Sequence, residues 1–260
     1  MPNKLLEIKN ISIQFGGLKA VDNFSMELAP GELAGLIGPN GAGKTTVFNL
    51  LTGVYAPQTG SIHLEGKATH HLKTYEISRL GVARTFQNIR LFKDLTVLDN
   101  ILLGQHQLTK YGMAQAVLQT PAFKTEEAQK KEESLELLKI FKLENKQSNL
   151  AGSLPYGEQR KLEILRALAT KPKLLLLDEP AAGMNNSETT GLMEIISMIR
   201  EKFKLTILLI EHDMKFVMKI CEKIHVLDHG VKIAEGIPSY IQNHQEVIKA
   251  YLGTDEELSS

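Results

Sequence analysis

The sequence predicts an α/β fold with a mostly parallel central sheet, an antiparallel β layer at its start and an inserted helical subdomain. Residues 5–28 alternate apolar and polar positions, as half-buried antiparallel strands do. Residues 174–177 are consecutive leucines, a run typical of a parallel strand that is covered on both faces. Between residues 97 and 150 the apolar positions recur with the helical period instead.

The predicted elements can be placed in chain order. We expect strands at 5–8, 11–15, 24–28, 33–37, 61–66, 174–177 and 206–210. We expect helices at 45–52 and 188–202, and a further helix within the charged segment 124–142. Because strands and helices alternate again from residue 160 onward, the second half of the chain indicates a parallel sheet.

The segment between the predicted strand 33–37 and helix 45–52 fits the phosphate-binding pattern G-x-x-x-x-G-K-[ST]. Its residues are Gly38, Pro39, Asn40, Gly41, Ala42, Gly43, Lys44, Thr45 and Thr46. Glycines let consecutive backbone N–H groups turn toward a triphosphate, and the following helix points its positive end at the same anion. We predict that these residues bind ATP, with Lys44 at the β- and γ-phosphates and the Thr45 hydroxyl on Mg²⁺. The alternative is a chance glycine-rich turn.

Two acidic residues, Asp178 and Glu179, follow the leucine run. Ligands of open parallel sheets lie at the carboxyl ends of the strands, so both acids are expected near the phosphate loop. Asp178 is placed to hold Mg²⁺ through its water shell, and Glu179 is placed to orient and deprotonate an attacking water. The alternative is a pair of acids that caps a strand within a loop.

Composition and charge exclude several other classes of protein. Thirty Lys and Arg balance thirty Asp and Glu, so no net field would gather a nucleic acid or an anionic membrane surface. Cys221 is the only cysteine, which excludes an intrachain disulfide, and we interpret it as a small core residue. No apolar run reaches the roughly 18 residues that span a bilayer, and residues 1–7 lack a signal-peptide core. We therefore expect a cytoplasmic protein. Because the histidines form no ligand cluster with the single cysteine, we expect no metal beyond the Mg²⁺ that accompanies ATP.

Together with further residues, these motifs resemble the ATP-binding cassette of ABC transporters over nearly the whole chain. Gln87 matches the family's Q-loop glutamine, and residues 154–160 stand where the family carries its signature sequence. His212 matches the switch histidine, and Phe15 matches the aromatic residue that stacks on adenine. Taken alone, Gln87 could be a solvated loop amide, and His212 would be interpreted as an isolated histidine after a strand. The order of the motifs along the chain favours the family.

The resemblance implies a role for each of these positions. Gln87 would contact Mg²⁺ and the attacking water, and His212 would hydrogen-bond the γ-phosphate. The signature residues that would complete the ATP site of a second cassette in trans are Leu154, Tyr156, Gly157 and Glu158. The implied domains are a nucleotide-binding core over 1–92 and 160–260, and a helical subdomain over 93–159 that carries the signature.

Two segments depart from the family's usual sequence. Pro155 replaces the signature serine and Tyr156 replaces the first glycine, so half of the usual donors to the facing γ-phosphate are missing. We expect Gly157 and a helix that begins near Glu158 to make the remaining contact. Asn185 stands in the D-loop where the family usually has Asp, which keeps hydrogen bonding but removes a charge.

The form L-x-Y-G of the signature is, by resemblance, typical of cassettes that import branched-chain amino acids. Other strings similar to the larger ATPase subunit of that importer lie at 84–87, 90–92, 181–183, 210–214 and 247–253. The resemblance thus implies ATP hydrolysis that powers uptake of Leu, Ile or Val. It also implies that Leu91 and Phe92 contact a membrane subunit; the alternative is that they belong to the core of the helical subdomain.

The resemblance implies several partners: a second ATP-binding cassette in a homodimer or a paralogous heterodimer, two membrane-spanning permease subunits and, indirectly, a solute-binding protein, with no nucleic acid. It places the chain as a peripheral subunit at the cytoplasmic face of the inner membrane. Three alternatives stay open: the ATPase of a lipid or lipopolysaccharide exporter, an ATPase of translation or DNA repair, and a nucleotide-sensing module without turnover. A single cassette without a long coiled coil disfavours the second, and the presence of Lys44 and Glu179 disfavours the third.

Overall fold

The structure, a computed structural model, describes residues 4–257 and the side chains of residues 4–251. Its strands are β1 (Leu6–Phe15), β2 (Leu18–Leu28), β3 (Leu33–Ile37), β4 (Thr59–Leu64), β5 (Lys67–Ala68), β6 (Val82–Arg84), β7 (Leu174–Asp178), β8 (Thr206–Ile210), β9 (Lys223–Asp228) and β10 (Val231–Gly236). Its α-helices are α1 (Lys44–Leu51), α2 (Thr74–Arg79), α3 (Val97–Gln105), α4 (Met113–Val117), α5 (Pro121–Ile140), α6 (Tyr156–Leu168), α7 (Asn186–Phe203), α8 (Met214–Ile220), α9 (Pro238–Gln242) and α10 (Gln245–Glu257).

The chain divides into two compact units. The first contains the described residues up to Arg84, then Lys173–Ala181 and the described residues from Ile196 onward. The second contains Thr85–Pro172 and Ala182–Ile195. The predicted domain bounds, 93–159 within 1–92 and 160–260, stay a prediction, and their last residues, 258–260, lie outside the described part of the chain.

The first unit contains two sheets. One is antiparallel with the strand order β2-β1-β4-β5, and the other has the order β10-β9-β3-β8-β7-β6. In the second sheet β9, β3, β8, β7 and β6 are mutually parallel, and β10 runs antiparallel to β9. Every residue of β3, β7 and β8 is buried, as expected for parallel strands covered on both faces. The predicted fold class is therefore confirmed.

One apolar core joins the two sheets and the helix after the phosphate loop. It includes Ile8 of β1, Phe48 of α1 and Leu208 of β8, all of them almost completely buried. Cys221 is also buried, and burial raises the pKa of its thiol to about 12. Because α1 is packed into this core, the loop that precedes it is held on a rigid element.

The second unit is helical. Ile101 of α3, Leu138 of α5 and Leu165 of α6 are fully buried, and α3 contacts both α5 and α6. Helix α5 begins where the Thr120 hydroxyl accepts a hydrogen bond from the Phe123 N–H at 3.4 Å, a typical N-cap. The predicted helical subdomain is thus present.

None of the helices within residues 4–257 has both the length and the apolar character needed to cross a membrane.

Candidate functional site

The phosphate loop connects β3 to α1 through a backbone that requires glycine. Gly38 has a φ of +150°, and a Cβ there would lie 1.9 Å from the carbonyl oxygen of Leu227. Gly43 is the N-cap of α1 in the left-handed conformation, with a φ of 102°. The N–H of Gly230 donates to the carbonyl of Ala42 at 3.0 Å and fixes the middle of the loop. The glycine pattern is therefore a requirement of the backbone of this chain.

Lys44 lies beneath this loop and is buried. Its Nζ donates to the carbonyl oxygens of Gly38 at 2.6 Å and Pro39 at 2.8 Å. Burial lowers the pKa of Lys44, and the charges of Glu179 and Asp178 oppose that shift. Neutral carbonyls thus hold the ammonium. An anion in the loop would be a stronger hydrogen-bond partner for the ammonium than these carbonyls are.

The other predicted loop residues form an accessible rim on a buried base. Asn40, Gly41 and Thr45 are exposed, Thr46 is half-buried, and Pro39 and Ala42 are buried. Thr45 is the second residue of α1, so its hydroxyl belongs to the first helical turn, where the helix dipole favours negative charge.

Asp178 is the last residue of β7 and its side chain is 5% exposed. A terminal nitrogen of Arg84 donates to Asp178 Oδ2 at 2.7 Å. Strands β3 and β7 both run parallel to β8, which lies between them. The phosphate loop after β3 and Asp178 at the end of β7 therefore lie at the same edge of the sheet. Sequence reasoning missed Arg84, since no local pattern distinguishes a buried arginine that is paired 94 positions away.

Glu179 and His212 follow the neighbouring strands β7 and β8 and lie close together. The Glu179 N–H donates to the carbonyl of Ile210 at 2.9 Å. Nδ1 of His212 is 3.7 Å from Oε2 of Glu179, slightly longer than a hydrogen bond. The His212 side chain is 60% exposed and that of Glu179 is 18% exposed. The structure therefore brings the predicted base and the predicted switch histidine together at an accessible position.

Glu211 is a buried acid between β8 and His212 that sequence reasoning also missed. Its Oε1 accepts from the Ala181 N–H at 2.9 Å, and its Oε2 accepts from the His212 N–H at 3.2 Å. Burial raises the pKa of Glu211, and these hydrogen bonds together with His212 oppose the shift. Glu211 thus fixes the backbone of Ala181, two residues after Glu179, and the backbone of His212 itself.

Phe15, the predicted adenine-stacking residue, ends β1 on the surface of the same unit. It is 43% exposed and packs edge-on against Tyr55, with ring centroids 5.0 Å apart. The contact leaves Phe15 half exposed, as a base-stacking residue needs to be. Tyr55 gave no motif in the sequence.

Gln87 lies in the second unit, where α6 holds its backbone. Arg160 donates to the carbonyl oxygens of Phe86 at 2.6 Å and Gln87 at 2.7 Å. The same guanidinium is paired with Glu163 at 2.9 Å, and both side chains are buried. Glu163 Oε1 also accepts from the Arg90 N–H at 3.1 Å. The side chain of Gln87 is exposed, whereas its backbone carbonyl is held by Arg160 of α6.

The signature segment forms the start of α6. Leu154 and Gly157 are buried, Glu158 is half-buried, and Pro155 and Tyr156 are exposed. The helix begins at Tyr156 with Pro155 as its N-cap, which is earlier than the start expected near Glu158. The physical reason is that the Pro155 carbonyl accepts from the N–H groups of Glu158 and Gln159, both at 3.0 Å.

The D-loop residue Asn185 caps α7. Its Oδ1 accepts from the Glu188 N–H, and Glu188 Oε2 accepts from the Asn185 N–H, both at 3.0 Å. A Cβ at Gly157 would lie 2.6 Å from Glu188 Oε1. Asn185 therefore keeps hydrogen bonding as predicted, and the flexible end of the Glu188 side chain lies against Gly157.

Of the two residues expected to contact a membrane subunit, Phe92 is 55% exposed and Leu91 is half-buried. The guanidinium carbon of Arg166 lies 5.6 Å from the Phe92 ring centroid. The contact with a membrane subunit stays a prediction.

Family profiles match two parts of the chain. The profile described as "ABC transporter" matches residues 21–182. The profile described as "Branched-chain amino acid ATP-binding cassette transporter" matches residues 231–257, which include α10. The first match spans the phosphate loop, the signature segment and Glu179.

Full-length relatives match as well. The "high-affinity branched-chain amino acid transport ATP-binding protein LivG" of Escherichia coli (strain K12) is 46% identical over 97% of this chain and 99% of its own length. The corresponding protein BraF of Pseudomonas aeruginosa is 44% identical with the same coverage. The "lipopolysaccharide export system ATP-binding protein LptB" of Escherichia coli is 32% identical, again over 97% and 99%.

The fold and the phosphate loop define a nucleotide-binding α/β protein. A crystal structure of an ATP-binding cassette of an ABC transporter in its ADP conformation superimposes with a TM-score of 0.84 at 30% identity, covering 96% of this chain and 99% of that one. The chain belongs to the family of ATP-binding cassette ATPases of ABC transporters, so the predicted resemblance is confirmed.

Proposed function

We propose that this chain hydrolyses ATP to power the import of the branched-chain amino acids Leu, Ile and Val. The observation that carries the proposal is an identity of 44–47% over 97% of the chain to proteins named for branched-chain amino acid transport. The family profile matched at residues 231–257 supports the same solute class. The second candidate, a lipid or lipopolysaccharide exporter, is supported by the 32% identity to LptB.

In this proposal the triphosphate lies on the loop from Gly38 to Thr46, and adenine stacks on Phe15. The buried Lys44 ammonium exchanges its two carbonyl partners for the β- and γ-phosphates. The half-exposed Phe15 ring supports stacking, which is worth about 1–3 kcal/mol per base in other complexes.

Three oxygen donors are proposed for Mg²⁺: the Thr45 hydroxyl, the Asp178 carboxylate and the Gln87 amide. Hydroxyl, amide and carboxylate oxygens are hard ligands, which suits an ion that keeps several of its waters. The buried Asp178 carboxylate and the accessible Thr45 fit such a site within the first unit. When bound, the ion would offset the charge of the β- and γ-phosphates.

Hydrolysis is assigned to Glu179, His212 and Gln87. Glu179 would take a proton from the attacking water at its carboxylate, and the partly buried, backbone-anchored position supports that role. His212, 3.7 Å from Glu179, would hydrogen-bond the γ-phosphate. Gln87 would orient the same water from a backbone that Arg160 holds.

A second cassette would close the ATP site in trans through Leu154, Tyr156, Gly157 and Glu158. The helix start at Tyr156 supports this, because the first N–H groups of a helix favour an anion. Two permease subunits and a solute-binding protein would complete the importer, with this chain peripheral at the cytoplasmic face of the membrane. In the functional division we propose, 1–92 and 160–260 bind the nucleotide and 93–159 carries the signature.

The test is deletion of this chain in its source cell, followed by uptake of labelled leucine and of an unrelated solute. We expect leucine uptake to be lost, to return with the unmodified chain and to stay absent with Lys44→Ala. Persistent leucine uptake together with a collapse of lipid export would replace the import assignment with the exporter.

A further inference from the structure

Arg84 is a buried arginine that none of the predicted roles uses. It is the last residue of β6, which pairs in parallel with β7, so that Arg84 is in register with Leu176. The chain passes from the first compact unit to the second directly after it, at Thr85. Its side chain is only 6% exposed although it carries a permanent charge.

Within the first unit the guanidinium is held by two different segments. One terminal nitrogen donates to Asp178 Oδ2 and the other to Asn49 Oδ1, both at 2.7 Å. Its central carbon lies 5.4 Å from the ring centroid of Phe48. Asn49 and Phe48 belong to α1, the helix that follows the phosphate loop. Arg84 therefore connects the end of β7 to that helix.

Such an arrangement restricts the carboxylate of Asp178. A guanidinium has its donors in a fixed planar fork, so partners on two sides leave it little freedom to rotate. A charge-assisted hydrogen bond of 2.7 Å from this rigid donor fixes the orientation of the Asp178 carboxylate. It also occupies Oδ2 with a cation, which favours a metal held through water over one that binds both carboxylate oxygens directly.

We propose that Arg84 is a positioning residue that orients Asp178 for the Mg²⁺ that accompanies ATP. The proposal rests on the function proposed above. Partners in the outer shell of a metal site commonly change metal affinity by about 10- to 100-fold when they are removed. Arg84 would thus set the Mg²⁺ dependence of nucleotide binding without touching the nucleotide.

The test compares Arg84→Met with Arg79→Met in the full-length chain. Arg79 is an exposed arginine five residues earlier, with its guanidinium 5.6 Å from the Tyr75 ring. Calorimetry in EDTA gives the affinity for ATP without Mg²⁺. A series at increasing Mg²⁺ gives the Mg²⁺ half-point, the concentration at which half of the gain in ATP affinity caused by Mg²⁺ is reached. For Arg84→Met we expect ATP binding in EDTA to change less than about twofold and the Mg²⁺ half-point to rise about 10-fold or more. Arg79→Met is expected to match the unmodified chain in both.

Two milder variants keep the test decisive if Arg84→Met does not fold. Arg84→Lys keeps the charge but loses the fork, and Asn49→Ala removes one of the two partners while the pair with Asp178 remains. Both should raise the Mg²⁺ half-point, by less than Arg84→Met. Folded variants with lowered thermal stability and an unchanged Mg²⁺ half-point would make Arg84 a purely structural residue and overturn the proposal.

Failure of the ATP and Mg²⁺ site on which this proposal rests has a different signature in this experiment. The unmodified chain itself would then bind no ATP at any Mg²⁺ concentration. Failure of the Arg84 proposal alone would leave the unmodified chain binding Mg²⁺ and ATP, with the Arg84 variants showing the same Mg²⁺ dependence.

Discussion

The phosphate loop and the signature segment both place a glycine beside the start of a helix, yet they hold their charges differently. In the phosphate loop the buried cation, Lys44, contacts the loop itself, through the carbonyls of Gly38 and Pro39. In the signature helix the buried cation, Arg160, contacts the backbone of Phe86 and Gln87 instead. The first charge is available to a ligand and the second is committed to structure. This difference supports the proposal that the phosphate loop binds the nucleotide, whereas Arg160 holds the backbone of Phe86 and Gln87.

The largest effect, a loss of folding stability, should follow from replacing Arg160, the buried cation that is committed to structure. Arg160→Met would leave the fully buried Glu163 without its cation and two carbonyls without their donor. Breaking a buried pair in this way costs about 3–5 kcal/mol, which urea unfolding would measure. Lys161→Met, one position further along α6, is the matched control, expected within about 0.5 kcal/mol of the unmodified chain. Equal stability of the two variants would contradict a structural role for Arg160.

Removing the ligand-facing cation should affect binding instead. Lys44→Ala is expected to weaken ATP binding about 100-fold, because charge-assisted hydrogen bonds contribute about 1.5–3 kcal/mol each. Calorimetry with ATP and Mg²⁺ provides the measurement, and circular dichroism confirms that the variant is folded. Binding at full strength would show that Lys44 belongs with Arg160 among the structural cations.

The same contrast explains what could be predicted from the sequence. The phosphate loop and the strands β7 and β8 were predicted to within one residue, because their patterns are local: a glycine spacing and runs of buried residues. The partners of those motifs were missed. Arg84 meets Asp178, and Arg160 meets Phe86, across separations of 94 and 74 positions, and no periodicity encodes such contacts.

The start of the signature helix was predicted too late for a similar reason. We expected a start near Glu158, but Pro155 has a preset backbone angle and its carbonyl already accepts the first helical hydrogen bonds. Assigned roles in the site, such as those of Gln87 and His212, stay predictions, since they depend on a bound nucleotide.

Replacing Phe15, which is proposed to stack on adenine, should have an effect of intermediate size on ATP affinity. Phe15→Ala should lower ATP affinity by about 1–3 kcal/mol, and Phe15→Tyr should leave it nearly unchanged, because stacking needs only an aromatic face. Inorganic triphosphate, which has no base, should bind all three forms alike. A loss of triphosphate binding in Phe15→Ala would indicate damage to the fold instead of lost stacking.

The smallest effect is expected at Pro155, on the exposed side of the signature segment. Pro155→Ser adds an N-cap hydroxyl to α6, which stabilises a helix by about 0.5–2 kcal/mol. It also destabilises the folded state by about 0.4–1 kcal/mol, because the unfolded chain regains the conformational freedom that proline removes. These terms offset each other, so the free energy of unfolding should change by less than about 1 kcal/mol. A larger change in urea unfolding would place Pro155 among the structural residues with Arg160.

The central claim, that this chain hydrolyses ATP with Glu179 as the base, is tested most directly by Glu179→Gln. Steady-state hydrolysis should fall about 10²- to 10⁴-fold, the usual contribution of a general base, while ATP binding is retained. Glu201→Gln, a change at an exposed position of α7, should leave both quantities unaltered. Hydrolysis by Glu179→Gln at the rate of the unmodified chain would contradict the account.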